Sequence, residues 1–181
     1  QATNLGHLAG SIAFGQAINA SGQVVGYSSA ASGGLHGFLW EAGVMTDLGF
    51  VENDFSRAHT INDRGWIAGT SGSNRTVGMV YAFHPAAWYG GGIYELPSFG
   101  GLTSVGAACN DGGLLVGSSQ DPGGLVQPFR FFPGSGLTAL PLLPGGSFGR
   151  AHGVDDRGAA VGYTGDANGA PRAVLWWQGQ V

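Results

Sequence analysis

The apolar residues of this chain come in short runs that end in Gly, Asn or Asp, the grammar of strands and turns. One run sets the pattern. Ile18-Asn19-Ala20-Ser21-Gly22 leads into Gln23-Val24-Val25-Gly26, and the same order of apolar, polar and glycine positions returns at 61–69, 109–117 and 154–162. Asn or Asp suits the first position of a type I turn, because its side chain accepts backbone N–H groups within the turn. Glycine three residues later takes the left-handed conformation that closes such a turn as a bulge and restores the strand twist. An Asn/Asp calcium loop is the alternative, but the first and third copies offer too few carboxylates at the wrong spacing.

The turn residues are spaced by 43 positions (19 to 62), 48 (62 to 110) and 45 (110 to 155), and from Asp155 round through the end of the chain to Asn19 is again 45. Four repeats therefore fill the 181 residues without remainder, at a period suited to a four-stranded propeller blade. The expected fold is all-β: a single-domain, four-bladed β-propeller with four antiparallel strands per blade. Its blades cover about 11–49, 50–97, 98–141 and 142–181. Within each, a first strand enters the Asn turn and a second carries the apolar run. After a Gly-, Ser- and Asn-rich loop (28–35, 71–80, 118–126, 164–171), the third strand bears an aromatic marker. These markers are His36-Gly37-Phe38-Leu39-Trp40, His84-Pro85-Ala86-Ala87-Trp88, Gln127-Pro128-Phe129-Arg130-Phe131 and Arg172-Ala173-Val174-Leu175-Trp176. A fourth strand ends in Leu48, Leu96 or Leu140. The last repeat lacks that strand, and Ala2-Thr3-Asn4-Leu5-Gly6 matches Thr46-Asp47-Leu48-Gly49, so the N-terminal strand is expected to complete the last blade.

Repeat one, with 17–26, the His36–Trp40 segment and Thr46-Asp47-Leu48-Gly49, resembles the HAF-repeat family of bacterial extracellular repeat proteins. The resemblance runs along essentially the whole chain and weakens in repeats three and four, where Gln127 and Arg172 replace the marker histidine. It implies export and a repeat scaffold, and it brings no catalytic residue with it.

Composition narrows the function. Charged residues are only 10% of the chain, against roughly 25% in ordinary soluble domains. All seven basic residues are scattered arginines and the net charge is −4, which argues against nucleic-acid binding. No apolar run reaches the roughly 18 to 20 residues that span a bilayer, so the chain is not expected to be transmembrane. The chain opens at Gln1 rather than Met, which a removed secretory signal would explain, and a periplasmic or extracellular location is expected. The single cysteine, Cys109, stands where Ile18, Ile61 and Val154 stand in the other copies, as a small buried hydrophobe would.

Candidate chemistry lies where the copies disagree. His36 and His84 share the start of the third strand, a slot for a structural hydrogen bond. Arg57-Ala58-His59 and Arg150-Ala151-His152 match each other in alternate repeats. Near a central channel, Arg57, His59, Arg150 and His152 could hold an anion or a carboxylate, or simply bond neighbouring carbonyls and water. Two histidines alone are too few for a metal site, and neither a metal nor a cofactor is expected. Trp66, Tyr89 and Trp177 break the repeat, either as a patch for a partner or as packing over neighbouring blades. Asn74 and Arg75 on the longest loop are further partner-contact candidates. No nucleophile elbow, phosphate loop, His-Glu-x-x-His or Cys-x-x-Cys is present. The expectation is a non-catalytic binding or structural module with a protein partner, such as a larger membrane-anchored complex on its extracytoplasmic face. The alternatives are a lectin-like carbohydrate binder and a small hydrolase or lyase working at the channel mouth.

Overall fold

A computed structural model describes residues 2–77, 80–177 and 180, and the side chains of these apart from 73–77, 80 and 81. Among the described residues it is all β, with fifteen strands and no helix. Repeat one contains β1 (Ala13–Ile18), β2 (Val24–Ser29), β3 (Leu35–Glu41) and β4 (Val44–Asp47). Repeat two contains β5 (Glu52–Ile61), β6 (Ile67–Val77), β7 (Val80–Tyr89) and β8 (Gly92–Glu95). Repeat three contains β9 (Ser104–Cys109), β10 (Leu115–Gln120), β11 (Val126–Phe132) and β12 (Gly136–Ala139). Repeat four contains β13 (Gly149–Val154), β14 (Ala160–Gly165) and β15 (Pro171–Trp176). Each repeat is an antiparallel meander. They form three sheets, because a single parallel pair, Leu35 with Phe55, joins the first two meanders. None of the sheets closes on itself.

The Asn/Asp turns form as their chemistry requires. Asn19 Oδ1 accepts the N–H groups of Ser21 and Gln23 at 3.1 and 3.0 Å, and Gly22 stands at φ 78°. Asn62, Asn110 and Asp155 cap their own turns in the same way, each followed by a left-handed glycine. Before the turn, every first strand carries a β-bulge opposite the second, leaving Gln16, His59, Ala107 and His152 unpaired in the ladder. The bulge brings the first strand so close that a Cβ on Gly26, Gly69, Gly117 or Gly162 would overlap its carbonyl oxygen. That close approach is why the apolar run ends in glycine four times.

The core lies between repeats. Val25 of the first packs with Ala58, Ile61, Ile67 and Trp88 of the second. Ala68, Ala87 and Leu96 of the second meet Leu115 and Phe129 of the third. Val116 and Leu140 of the third meet Ala151, Ala160 and Trp176 of the fourth. Trp88 and Trp176 also donate their indole N–H to the preceding repeat, at Leu48 O and Pro141 O. The turns add a directional relay of hydrogen bonds. Asn19 Nδ2 donates to Asn62 O at 3.1 Å, Asn62 to Asn110 O at 2.7 Å, and Asn110 to Asp155 O at 2.8 Å. Alongside, the N–H groups of Ala20, Asp63 and Asp111 donate to the carboxylates of Asp63, Asp111 and Asp156.

Two expectations change. The expected loop at 71–80 is largely strand, since β6 runs to Val77 and β7 starts at Val80. Repeat four has three strands among the described residues, as expected, and Trp177 beyond β15 forms an antiparallel bridge with Gln180. Residues 2–7 form no strand and complete no blade; residues 8–10 instead bond to Ser28 and Ser29 of repeat one, a joint found again where Val51, Phe99 and Leu143 donate to Ser71, Ser119 and Thr164. Among the described residues, no packing between the fourth repeat and the first approaches that joining consecutive repeats.

Candidate functional site

Two of the repeat-breaking aromatics meet. Trp66 follows the Asn62 turn at the entry to β6, and Tyr89 ends β7. Their rings stack with centroids 4.4 Å apart and planes 5° apart. Tyr94 on β8 extends the ladder, 4.4 Å from Tyr89 at 18°. Offset stacking of this kind contributes about 0.5–1.5 kcal/mol per pair beyond area burial. Tyr89 and Tyr94 remain 38% and 44% exposed, so the ladder is a surface feature. It lines a cavity of about 230 Å³ at the joint between the second and third repeats, together with Glu95, Leu96, Phe131 and Pro133. Partial desolvation and the adjacent Tyr94 hydroxyl hold the Tyr89 phenol above its usual range.

The same slots elsewhere show why this is a departure and not scaffold. In repeat one they hold Gln23 and Glu41, which bond to each other at 3.1 Å. In repeat three they hold Leu114 and Phe132, and in repeat four Ala159 and Trp177. Trp177 is 46% exposed and lies apart from the ladder. Asn74 and Arg75 lie outside the residues whose side chains are described.

The Arg-Ala-His segments differ from one another. Arg57 lies over the Tyr27 ring at 4.7 Å and the Phe55 ring at 5.1 Å. His59 sits half-buried beside it; burial first, and then the Arg57 charge, lower its pKa, so it is neutral at pH 7. In repeat four, Arg150 donates to Ser118 Oγ at 3.2 Å, and the exposed His152 lies against Tyr163 at 5.6 Å. Among the described residues no hydrogen bond, ion pair or ring contact joins the two segments, and no three His, Cys, Asp or Glu side chains gather as metal ligands.

His36 and His84 are structural. Each Nδ1 bonds the carboxylate across the sheet on the fourth strand, His36 to Asp47 at 2.7 Å and His84 to Glu95. Where the histidine gives way to Gln127, the acid gives way to Ala139. His36 Nε2 also bonds Asp54 at 2.8 Å, and Ser32 bonds the same oxygen, tying a repeat-one loop to β5. Burial opposes protonation of His36, but the hydrogen bonds and charges of Asp47 and Asp54 together raise its pKa. Asn53 and Asp54 adopt left-handed φ values of 58° and 48° to reach this position. Cys109 is half-buried against the core cluster that holds Leu115 and Phe129, its thiol 3.4 Å from Trp66 O and its pKa pushed up to about 12, mainly by desolvation.

No family model matches this chain, and no curated protein is similar to it.

Proposed function

We propose that the four meanders are blades of a propeller of HAF-repeat type and that the protein is an exported, non-catalytic binding module. In this reading the groove beside Trp66, Tyr89 and Tyr94 receives a protein partner. The observation that carries it is the three-ring ladder, which no other repeat builds: repeat one has the Gln23–Glu41 pair in these slots, repeat three Leu114 and Phe132, and repeat four Ala159 and Trp177. Rigid, half-exposed aromatics next to an apolar trough are the usual anchors of protein contacts. With few charges nearby, association relies on apolar fit and on hydrogen bonds to groups such as the tyrosine hydroxyls. Support for a non-catalytic role is that the marker histidines and their acids are spent on structural pairs. A partner belonging to a membrane-anchored assembly, met on its extracytoplasmic face, fits the export implied by the repeat resemblance.

The test is cross-linking capture from cell-envelope extract with the wild-type protein and with Trp66→Ala/Tyr94→Ala. A specific partner held by the wild type and weakened at least about tenfold in the variant is expected. Capture unchanged by the double substitution would sink the groove as the contact. Binding to a glycan array that depends on Trp66 would move the reading to a carbohydrate ligand.

A further inference from the structure

We propose that Arg57 and His59, on β5 of repeat two, form a binding site for a single carboxylate group. Neither residue lines the groove beside Trp66, so the site is separate from it. Among the described side chains Arg57 and Arg150 are the half-buried arginines, and the others are exposed. Arg150 donates to Ser118 Oγ at 3.2 Å. Arg57 makes no hydrogen bond or ion pair among the described residues, although its Nε is buried. One slot explains the difference. Ser118 follows Gly117 and offers Arg150 a hydroxyl from the preceding repeat, whereas Tyr27 follows Gly26 and offers Arg57 a ring. The Tyr27 and Phe55 rings, 4.7 and 5.1 Å from the guanidinium carbon, attract the cation but supply no oxygen to its N–H donors.

His59 adds a second donor. It is the bulged residue of β5, left out of the ladder between Ala58 and Thr60, and a bulge re-aims a side chain. Its ring lies close enough to Arg57 for that charge to lower its pKa, and its Nε2 is buried without a partner. In the Nε2–H tautomer the neutral imidazole donates one hydrogen bond. Buried donors left unpaired cost stability, and an acceptor that reaches both removes that cost.

Charge and shape choose the acceptor. With His59 neutral the site carries one positive charge, which a monoanion balances and a dianion exceeds. The neighbouring Asp54 is already held by His36 and Ser32. A carboxylate is a planar monoanion that takes two guanidinium N–H groups at once. Repeat four carries the same Arg-Ala-His residues without the site, because Arg150 is bonded and His152 is exposed, and so it serves as an internal control.

Acetate titrated against chloride at constant ionic strength and pH 7, followed by NMR at the Arg57 Nε–H and the His59 ring, tests the site. Saturable shifts of both are expected, with the Arg150 Nε–H and the His152 ring unmoved, a comparison that needs no variant. Arg57→Lys keeps the charge and loses the planar fork, and should weaken binding at least about tenfold. A blocked tripeptide with a central Asp, titrated alongside, distinguishes the sources of the carboxylate: tighter binding than acetate assigns it to a protein ligand, and equal or weaker binding to a small free acid. Shifts that never saturate, that move Arg57 and Arg150 alike or that persist unchanged in Arg57→Lys would overturn the proposal, as would inorganic phosphate binding more tightly than acetate.

Discussion

At the level of single residues, His36 and Cys109 show how the same burial gives opposite chemistry. His36 is flanked by two carboxylates that raise its pKa against the opposing effect of burial, so its contribution to stability is full below about 6.5 and is lost as pH climbs through the folded value. Asp54, whose pKa is lowered chiefly by that same histidine, contributes above about 3.8 and loses its contribution as pH falls. The pair is therefore at full strength between those limits. Thermal midpoints of wild type and Asp54→Asn should differ most there and converge as pH rises through the folded pKa of His36; a constant offset at all pH values would refute the pairing. Cys109 has no charge to lean on, and its thiol should stay unmodified by thiol reagents at pH 8 until the protein is unfolded, when labelling becomes complete. Sequence position alone pointed to a buried thiol there, because the equivalent residues are Ile and Val. Nothing in the sequence paired Asp54 with His36, which it reaches through the left-handed backbone of Asn53 and of Asp54 itself.

At the level of strands and turns, the repeat was legible because the same backbone demands recur. The Asn/Asp cap, the left-handed glycine and the strand-ending glycine each answer a local geometric need, and local needs write themselves into sequence. Gly117→Ala should cost roughly 3 kcal/mol, since the new methyl collides with Val105 O and the Phe129 ring; chemical denaturation reads this directly. The relay was less visible, because an Asn that caps its own turn looks the same whether or not its amide reaches the next repeat. Asn62→Asp separates the two jobs: the cap is kept, as Asp155 shows, while the donor to Asn110 O is removed. A loss of about 1–3 kcal/mol is expected, against almost nothing if the inter-repeat bond is idle. Trp66 and Tyr89 were visible as departures, but their stacking on Tyr94 was not, because Tyr94 occupies an ordinary Thr slot of the fourth strand.

At the level of the whole molecule, the count of repeats was readable and their closure was not. The repeat spacing sets Ala2–Gly6 beside β15, whereas residues 2–7 form no strand and residues 8–10 bond against their own repeat. Spacing reports which segments are alike, not which copy of a segment a strand will pair with. The same slot then has different energetic weight along the chain. Val25→Ala should destabilise by about 2 kcal/mol and Val161→Ala by less than about 0.5 in dilute solution, where the outer flank of repeat four is wet.

The one-way run of Asn amides gives the molecule a grain. Each joint is supported by one such donor, so the middle repeats are held from both sides and the first and the fourth from one. Opening should therefore begin at the outer repeats and travel inward, as in a stack of coupled units. Amide hydrogen exchange would show it as a gradient, with β6 and β10 slowest and β1, β14 and β15 fastest.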